Sequence, residues 1–301
     1  MIQQDHLQIF DLTLTVRSPL FIGDGRMYTK AEYLYCTRNG RASLLDEQKF
    51  FTFLTDRGLI DRYIQFMLCN QSNLRDFLTE DCGVSDADLN ALTRYTIEAG
   101  DAVTNPPKNL YTFQRDAHDR AYIPGSSLKG ALRTVWLLQA VRADQSTGHS
   151  LASDDNAAFP EEQYVNQLHL RLQKDGSIAS DAVNSLFRGV QVSDSTPIQN
   201  EQMALCGKFD VLPDGSFPKN SKKGIPLFRE CAIPGAAVHF KLTLDQSVLK
   251  GRITKESLMD AIQQFDGYYK QTYRARFKAP SGAVNLPHQP HLILGGGSGF
   301  F

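Results

Sequence analysis

Asp119-Arg-Ala-Tyr-Ile-Pro-Gly-Ser-Ser-Leu-Lys-Gly-Ala-Leu-Arg-Thr-Val-Trp-Leu-Leu-Gln-Ala-Val141 is the stretch around which the chain is organised. A short strand, Ala121 to Ile123, meets a break at Pro124-Gly125, and an amphipathic helix starts at once. Ser126 or Ser127 is a natural N-cap, because a short hydroxyl side chain accepts one of the unpaired amides of the first turn. Leu128, Ala131, Leu132, Val135 and Leu138 fall on one helical face. Lys129 and Arg133, four residues apart, share a second face. Small residues, free amides, hydroxyls and two cations at a helix start suit a phosphate, although hydroxyls and a Pro-Gly break also open many ordinary helices.

Ile123-Pro-Gly-Ser-Ser-Leu-Lys-Gly-Ala-Leu-Arg133 resembles the signature helix start of the RAMP superfamily, the RNA-binding proteins of CRISPR systems, and Arg115-Asp116 fits the lead-in that often precedes it. Leu12 to Gly25 resembles that family's first strand and glycine turn. Val190 to Ile198 and Leu294 to Phe301 resemble segments of the subgroup that supplies the fifth subunit of the type III-A Csm effector complex. The resemblance implies an α+β, ferredoxin-like (RRM-like) RAMP fold. It also implies a non-catalytic subunit that holds the 3′ portion of the guide RNA (crRNA) and caps the RAMP filament in antiviral defence. Its partners would be the guide RNA, with target RNA nearby, a neighbouring RAMP backbone subunit and the small helical subunit of the complex. The residues expected to touch RNA are Gly125, Ser126, Ser127, Lys129, Gly130, Arg133, Arg26, Gly295, Gly296, Gly297 and Ser298. The stop at Phe300-Phe301 departs from the family pattern, which usually continues, and leads to the expectation of a shortened chain or missing C-terminal elements.

Composition sets the outer bounds. With 301 residues, 42% hydrophobic and 22% charged, the chain can bury a core in one large domain or two ordinary ones. No run of apolar residues is long enough to span a bilayer, and the first residues lack a signal-peptide pattern. Cys36, Cys69, Cys82, Cys206 and Cys231 are scattered and contain no Cys-x-x-Cys pair, which reads as reduced thiols in a cytoplasm. Net charge is −1, but the distribution is uneven. Asp46 to Asp101 carries eleven acids against five bases, Asn105 to Arg142 six bases against two acids, and Lys250 to Lys278 seven bases against three acids. One face toward phosphate and another elsewhere fits this pattern, as does an unevenly charged solvated surface.

Along the chain, Leu7 to Val16 alternates as a strand with a register adjustment near Asp11. Its glycine turn, Ile22 to Arg26, permits close backbone approach. Tyr33 to Thr37 with Asn39-Gly40 is a strand and tight turn. Ser43 to Thr55 (Leu44, Leu45, Phe51 and Leu54 inward), Asp61 to Cys69 and Ser85 to Glu98 read as helices, the last with a Ser85–Asp88 cap. They form an acidic helical insert, about residues 43–103, suited to facing a neighbouring protein. Asn105-Pro106-Pro107 is a linker. Asn109 to Ile123 is a hairpin with His118 in its loop. Glu161 to Leu172 and Asp181 to Phe187 are helices, Gly189 to Ile198 and Met203 to Val211 strands, and Pro213 to Gly224 a basic loop with Lys219, Lys222 and Lys223.

Ile225 to Leu244 supplies two strands joined at Ile233-Pro234-Gly235. Lys255 to Phe277 is a helix with Leu258, Ile262, Phe265 and Tyr269 inward. It ends in a basic, aromatic stretch carrying Lys270, Arg274 and Lys278. His291 to Leu294 is a last strand running into Gly295-Gly-Gly-Ser-Gly299, whose amides are able to form an anion nest. The expected organisation is an N-terminal unit at 1–145, a helical connection at 146–186 and a C-terminal half at 187–301. No cofactor, metal site or catalytic residue is expected. The rival reading is a RAMP-type endoribonuclease with His118 and Asp24 as general base and acid. A third is a pure protein-interaction module.

Overall fold

The computed structural model describes residues 5–69, 73–99, 107–146, 164–179, 181–208, 212–216, 227–276 and 291–296. Its strands are β1 (Leu7–Thr15), β2 (Gly23–Thr29), β3 (Tyr33–Cys36), β4 (Arg41–Leu45), β5 (Thr93–Glu98), β6 (Asn109–Phe113), β7 (Val190–Val192), β8 (Met203–Gly207), β9 (Leu227–Ala232) and β10 (Ala237–Asp245). The main helices are α1 (Glu47–Asp56), α2 (Ile60–Cys69), α3 (Asp86–Leu92), α4 (Gly125–Ser146) and α5 (Lys255–Tyr268). The α+β class expected from the sequence is what the structure has.

Two sheets carry the fold. The smaller has order β1-β10-β7 and the larger β2-β6-β9-β8-β5-β4-β3. Residues far apart in sequence pair in both sheets: β1 with β10, and β6 and β5 in parallel with β9 and β8. One core follows from this pairing. Leu128, Leu132 and Val135 of α4 and Leu258, Ala261, Ile262 and Phe265 of α5 are buried together with Phe240, Leu242 and Leu244 of β10. The helical insert has a separate core, in which Phe50, Leu54, Phe66, Leu74, Phe77 and Leu89 pack with Leu34 and Leu45 of the sheet. Among the described residues no helix is long and apolar enough to cross a membrane.

Several sequence expectations are corrected. The β1–β10 ladder runs unbroken from Leu7↔Asp245 to Thr15↔Ala237, so no register shift occurs at Asp11. Phe10 takes the inward place instead and leaves Ile9 62% exposed. Arg41 to Leu45 is strand, not helix, because it completes a hairpin through Gly40 at φ +61°. The helix after it starts at Glu47 with Asp46 as N-cap, and this phase buries Phe50 and exposes Phe51. Ser85 does cap α3, accepting from the Asp88 amide, but the helix ends at Leu92. Thr93 to Glu98 then joins β4, since its β-branched and aromatic side chains suit a pleated surface.

Glu161 to Leu172 lies partly outside the described residues, and from Asn166 to Leu172 it is not helical. The buried Asn184 side chain holds the Leu170 and Arg171 amides with its oxygen and donates to the Arg171 and Ala179 carbonyls. Those bonds replace a helical ladder. His291 to Leu294 likewise pairs in no strand; Leu292, Ile293 and Leu294 reach the main core as half-buried side chains. Lys219, Lys222, Lys223, Lys278, Gly297 and Ser298 lie outside the described residues.

Candidate nucleic-acid interface

Helix α4 starts at Gly125, ahead of both serines expected as its cap. The cap comes from 69 residues downstream: the Gly125 amide donates to Asp194 Oδ1 at 2.8 Å. A carboxylate beside the first amides of a helix meets both an orphan donor and the positive end of the dipole. The amide of Gly125 is therefore already engaged by an anion supplied by the chain itself. The glycine also has a steric reason. A Cβ there would lie 2.3 Å from the Val192 carbonyl oxygen and 2.4 Å from that of Ser193.

The segment carrying Asp194 is stitched to both sides. Ser195 exchanges bonds with Ile123, its amide donating to the carbonyl at 3.0 Å and its Oγ accepting from the amide at 2.9 Å. Ile198 N donates to Ala121 O at 2.7 Å, while Ser193 and Thr196 bond Lys241 and His239 of β10. Gly125→Ala is expected to lower thermal stability by about 1–3 kcal/mol, since backbone rather than a flexible tip must move. A thermal melt against wild type reads this; a change within about 0.5 kcal/mol would contradict the packing role.

The exposed side of the first turns is different. On a helical wheel Ser126, Lys129, Gly130 and Arg133 fall within an arc of roughly 100°. Ser126 and Gly130 are exposed, and Lys129 and Arg133 half-buried. Ser127 lies at the edge of that face. Apart from the helix's own backbone, no atom of the described residues lies within 4 Å of where a Gly130 Cβ would be, so an interior helix glycine, costing about 1 kcal/mol against alanine, has no packing reason among them. Burial, and next the Arg133 charge, push the Lys129 ammonium below the ordinary lysine value. Two like charges held this way are relieved by an anion between them.

The glycine-rich tail meets the β1–β2 turn. Gly295 and Gly296 both adopt left-handed φ, +67° and +63°, and Gly296 N donates to Phe21 O at 3.0 Å. A Cβ on Gly295 would sit 2.1 Å from that oxygen. Arg229 covers the Phe21 ring at 4.8 Å. Backbone bonds continue from Ile22 O to Gln114 N and from Gln114 O to Tyr122 N, so the tail, the first turn and the approach to α4 are contiguous. The Gly296 amide is engaged by Phe21 and is not free for an anion.

Arg26 is exposed on β2, with its amide on Asp24 Oδ1 and its guanidinium held charged chiefly by a hydrogen bond with Tyr28. Asp24 Oδ1 also accepts from Thr112 Oγ1 at 2.7 Å. His118 is exposed at the tip of the loop, its amide on Asp116. Among the described residues no hydrogen bond or ion pair joins His118 to Asp24. None of the His, Cys, Asp and Glu side chains among those residues form a group of three able to hold a metal ion.

Sequence reasoning missed Asp194, and it missed the clamp behind the loop. Arg115, 6% exposed, pairs with Glu230, 0% exposed. Glu230 also accepts from the Phe113 amide at 2.9 Å, and Arg115 lies 3.7 Å over the Tyr95 ring and donates to the Asp119 carbonyl. Asp119 sits at φ +61° and pairs with Arg94. Asp116, held by the Arg120 amide and side chain and by the His118 amide, has its carboxyl pulled down to about 2. The Arg-Asp lead-in is the one signal that marks this region in the sequence.

The family model of the RAMP superfamily matches residues 13–274. A Streptococcus thermophilus protein, CRISPR system Cms protein Csm5, is 28% identical over 302 aligned positions, which span 96% of this chain and 78% of the relative. The Enterococcus italicus protein of the same name is 25% identical, over 97% of this chain and 78% of its own. The crystal structure of T. onnurineus Csm5 superposes with TM-score 0.66 at 18% identity, covering 88% of this chain and 81% of that one. A chain of the cryo-EM structure of a Csm-crRNA-target RNA ternary complex gives TM-score 0.59 at 19% identity, over 87% and 78%.

Proposed function

This chain belongs to the RAMP superfamily, and from that premise we propose that it is a non-catalytic, crRNA-binding subunit of a type III-A Csm effector complex. It holds the 3′ portion of the guide and caps the RAMP filament against a neighbouring backbone subunit, near the small helical subunit and the target RNA, in the cytoplasm. The observation that carries the reading is the exposed face of α4, with Lys129 and Arg133 crowded beside Ser126 and an unpacked Gly130. Such a face grips a sugar–phosphate chain without reading bases, which suits a carrier of many different spacers. Arg26 and the glycine tail from Gly295 to Ser298 would extend the grip. Gly125 serves it by holding the helix start in place.

The endoribonuclease alternative draws no support from the site, because Asp24 is engaged by Thr112 and Arg26 and His118 stands apart on its loop. The test is to purify the chain with its natural partners and sequence the RNA that comes with it. Guide RNAs ending inside the protein's footprint are expected. Random RNA would refute the capping role, and metal-free cutting abolished by His118→Ala would restore the enzyme reading.

A further inference from the structure

Two of the five cysteines, which the RNA face does not use, lie together in the larger sheet. β8 and β9 are antiparallel, with Ala204 opposite Cys231 and Cys206 opposite Arg229. Opposed residues and those two apart share a face, so Cys206 and Cys231 are diagonal neighbours on one side of the sheet. Cys231 is buried and Cys206 half-buried, and both are free thiols. The neighbouring Cys231 thiol pulls the Cys206 pKa down, while proximity to Cys206, together with burial, pushes Cys231 up. One sulfur is thus the more accessible and the more readily ionised, with the other beside it on the same face of the sheet. Cys36, Cys69 and Cys82 lie on β3, α2 and the helical insert, away from this strand pair.

We propose that Cys206 and Cys231 form a dithiol site that closes to a cross-strand disulfide on meeting a peroxide and reopens with a thiol reductant. Cys206 sulfur attacks one peroxide oxygen; the O–O bond breaks and Cys206 becomes a sulfenic acid with release of one water. Cys231 sulfur then attacks Cys206 sulfur. The S–O bond breaks, and the hydroxide leaves with the Cys231 proton as a second water. Two thiols supply the two electrons that reduce the peroxide. An attacking thiol poised near ambient pH is the effective kind, and disulfides of this sort in reducing compartments are transient. The site borders the RNA-facing region, since Arg229, opposite Cys206, covers the Phe21 ring whose residue holds Gly296.

The experiment treats the reduced full chain with limiting hydrogen peroxide, alkylates what remains and maps peptides by mass spectrometry. Cys206 and Cys231 are expected to leave the alkylatable pool together, the mass to fall by two hydrogens, and dithiothreitol to restore both. In Cys231→Ala, Cys206 should be trapped by dimedone as the sulfenic acid, with no internal bridge. In a chain with serine at Cys36, Cys69 and Cys82, the bridge should form as in wild type. Should Cys206 and Cys231 both stay alkylatable while the exposed Cys69 is oxidised, or should bridges form only between chains, the proposal is wrong. The wild-type map decides this even where a variant fails to fold.

Discussion

Glu230→Ala is expected to lose about 3–5 kcal/mol of stability, the usual consequence of stripping one partner from a buried ion pair. The substitution leaves the Arg115 guanidinium inside the sheet with no carboxylate and orphans the Phe113 amide. The arginine is already incompletely satisfied, since its Nε has no acceptor among the described residues. For a chain of this size the melting temperature should fall by roughly 6–10 °C. The double variant Arg115→Met with Glu230→Met should be milder than Glu230→Ala, because no unpaired charge is left buried. A double variant as damaged as the single one would mean that shape, not charge pairing, sets the cost. The clamp's purpose is conformational: it fixes the Arg115–Arg120 loop, including Asp119 in its left-handed conformation, just before the chain enters α4.

Charge reversal on α4, Lys129→Glu with Arg133→Glu, should remove guide RNA from the assembled complex while leaving the fold intact. Each phosphate contact is worth about 1.5 kcal/mol, so losing two lowers affinity by at least roughly a hundredfold. With about four phosphates neutralised, wild-type log affinity should fall with log salt at a slope near −3; without these two contacts the slope should be about −1.5. Burial and the Arg133 charge disfavour charged Lys129 in the unliganded chain, so Lys129→Ala should not lower the melting temperature. A structural role predicts the opposite, a melt that drops in step with RNA loss. The lowered lysine pKa gives a second signature. Phosphate favours charged Lys129, so retention should weaken as pH rises, beginning below the range where an ordinary lysine loses its proton. Lys129→Arg should flatten that response.

Local pattern was enough for much of this protein. The Pro-Gly break, the apolar stripe of α4 and the Lys129–Arg133 spacing were legible because helix periodicity is a property of neighbouring residues. The two strands joined at Ile233-Pro234-Gly235, which fall in different sheets, and the Leu258, Ile262, Phe265 stripe of α5 were legible for the same reason. Phase was less secure: a strand at Arg41 to Leu45 and the exchange of Phe50 for Phe51 depend on which partner strand and core the segment meets. What tertiary structure alone decided are contacts between residues remote in sequence. Asp194 caps a helix 69 residues upstream, Glu230 receives Arg115, and the Phe21 carbonyl seats Gly296. No local propensity encodes such pairs, because their stability comes from desolvation and hydrogen bonds that exist only once the two sheets have brought the segments together.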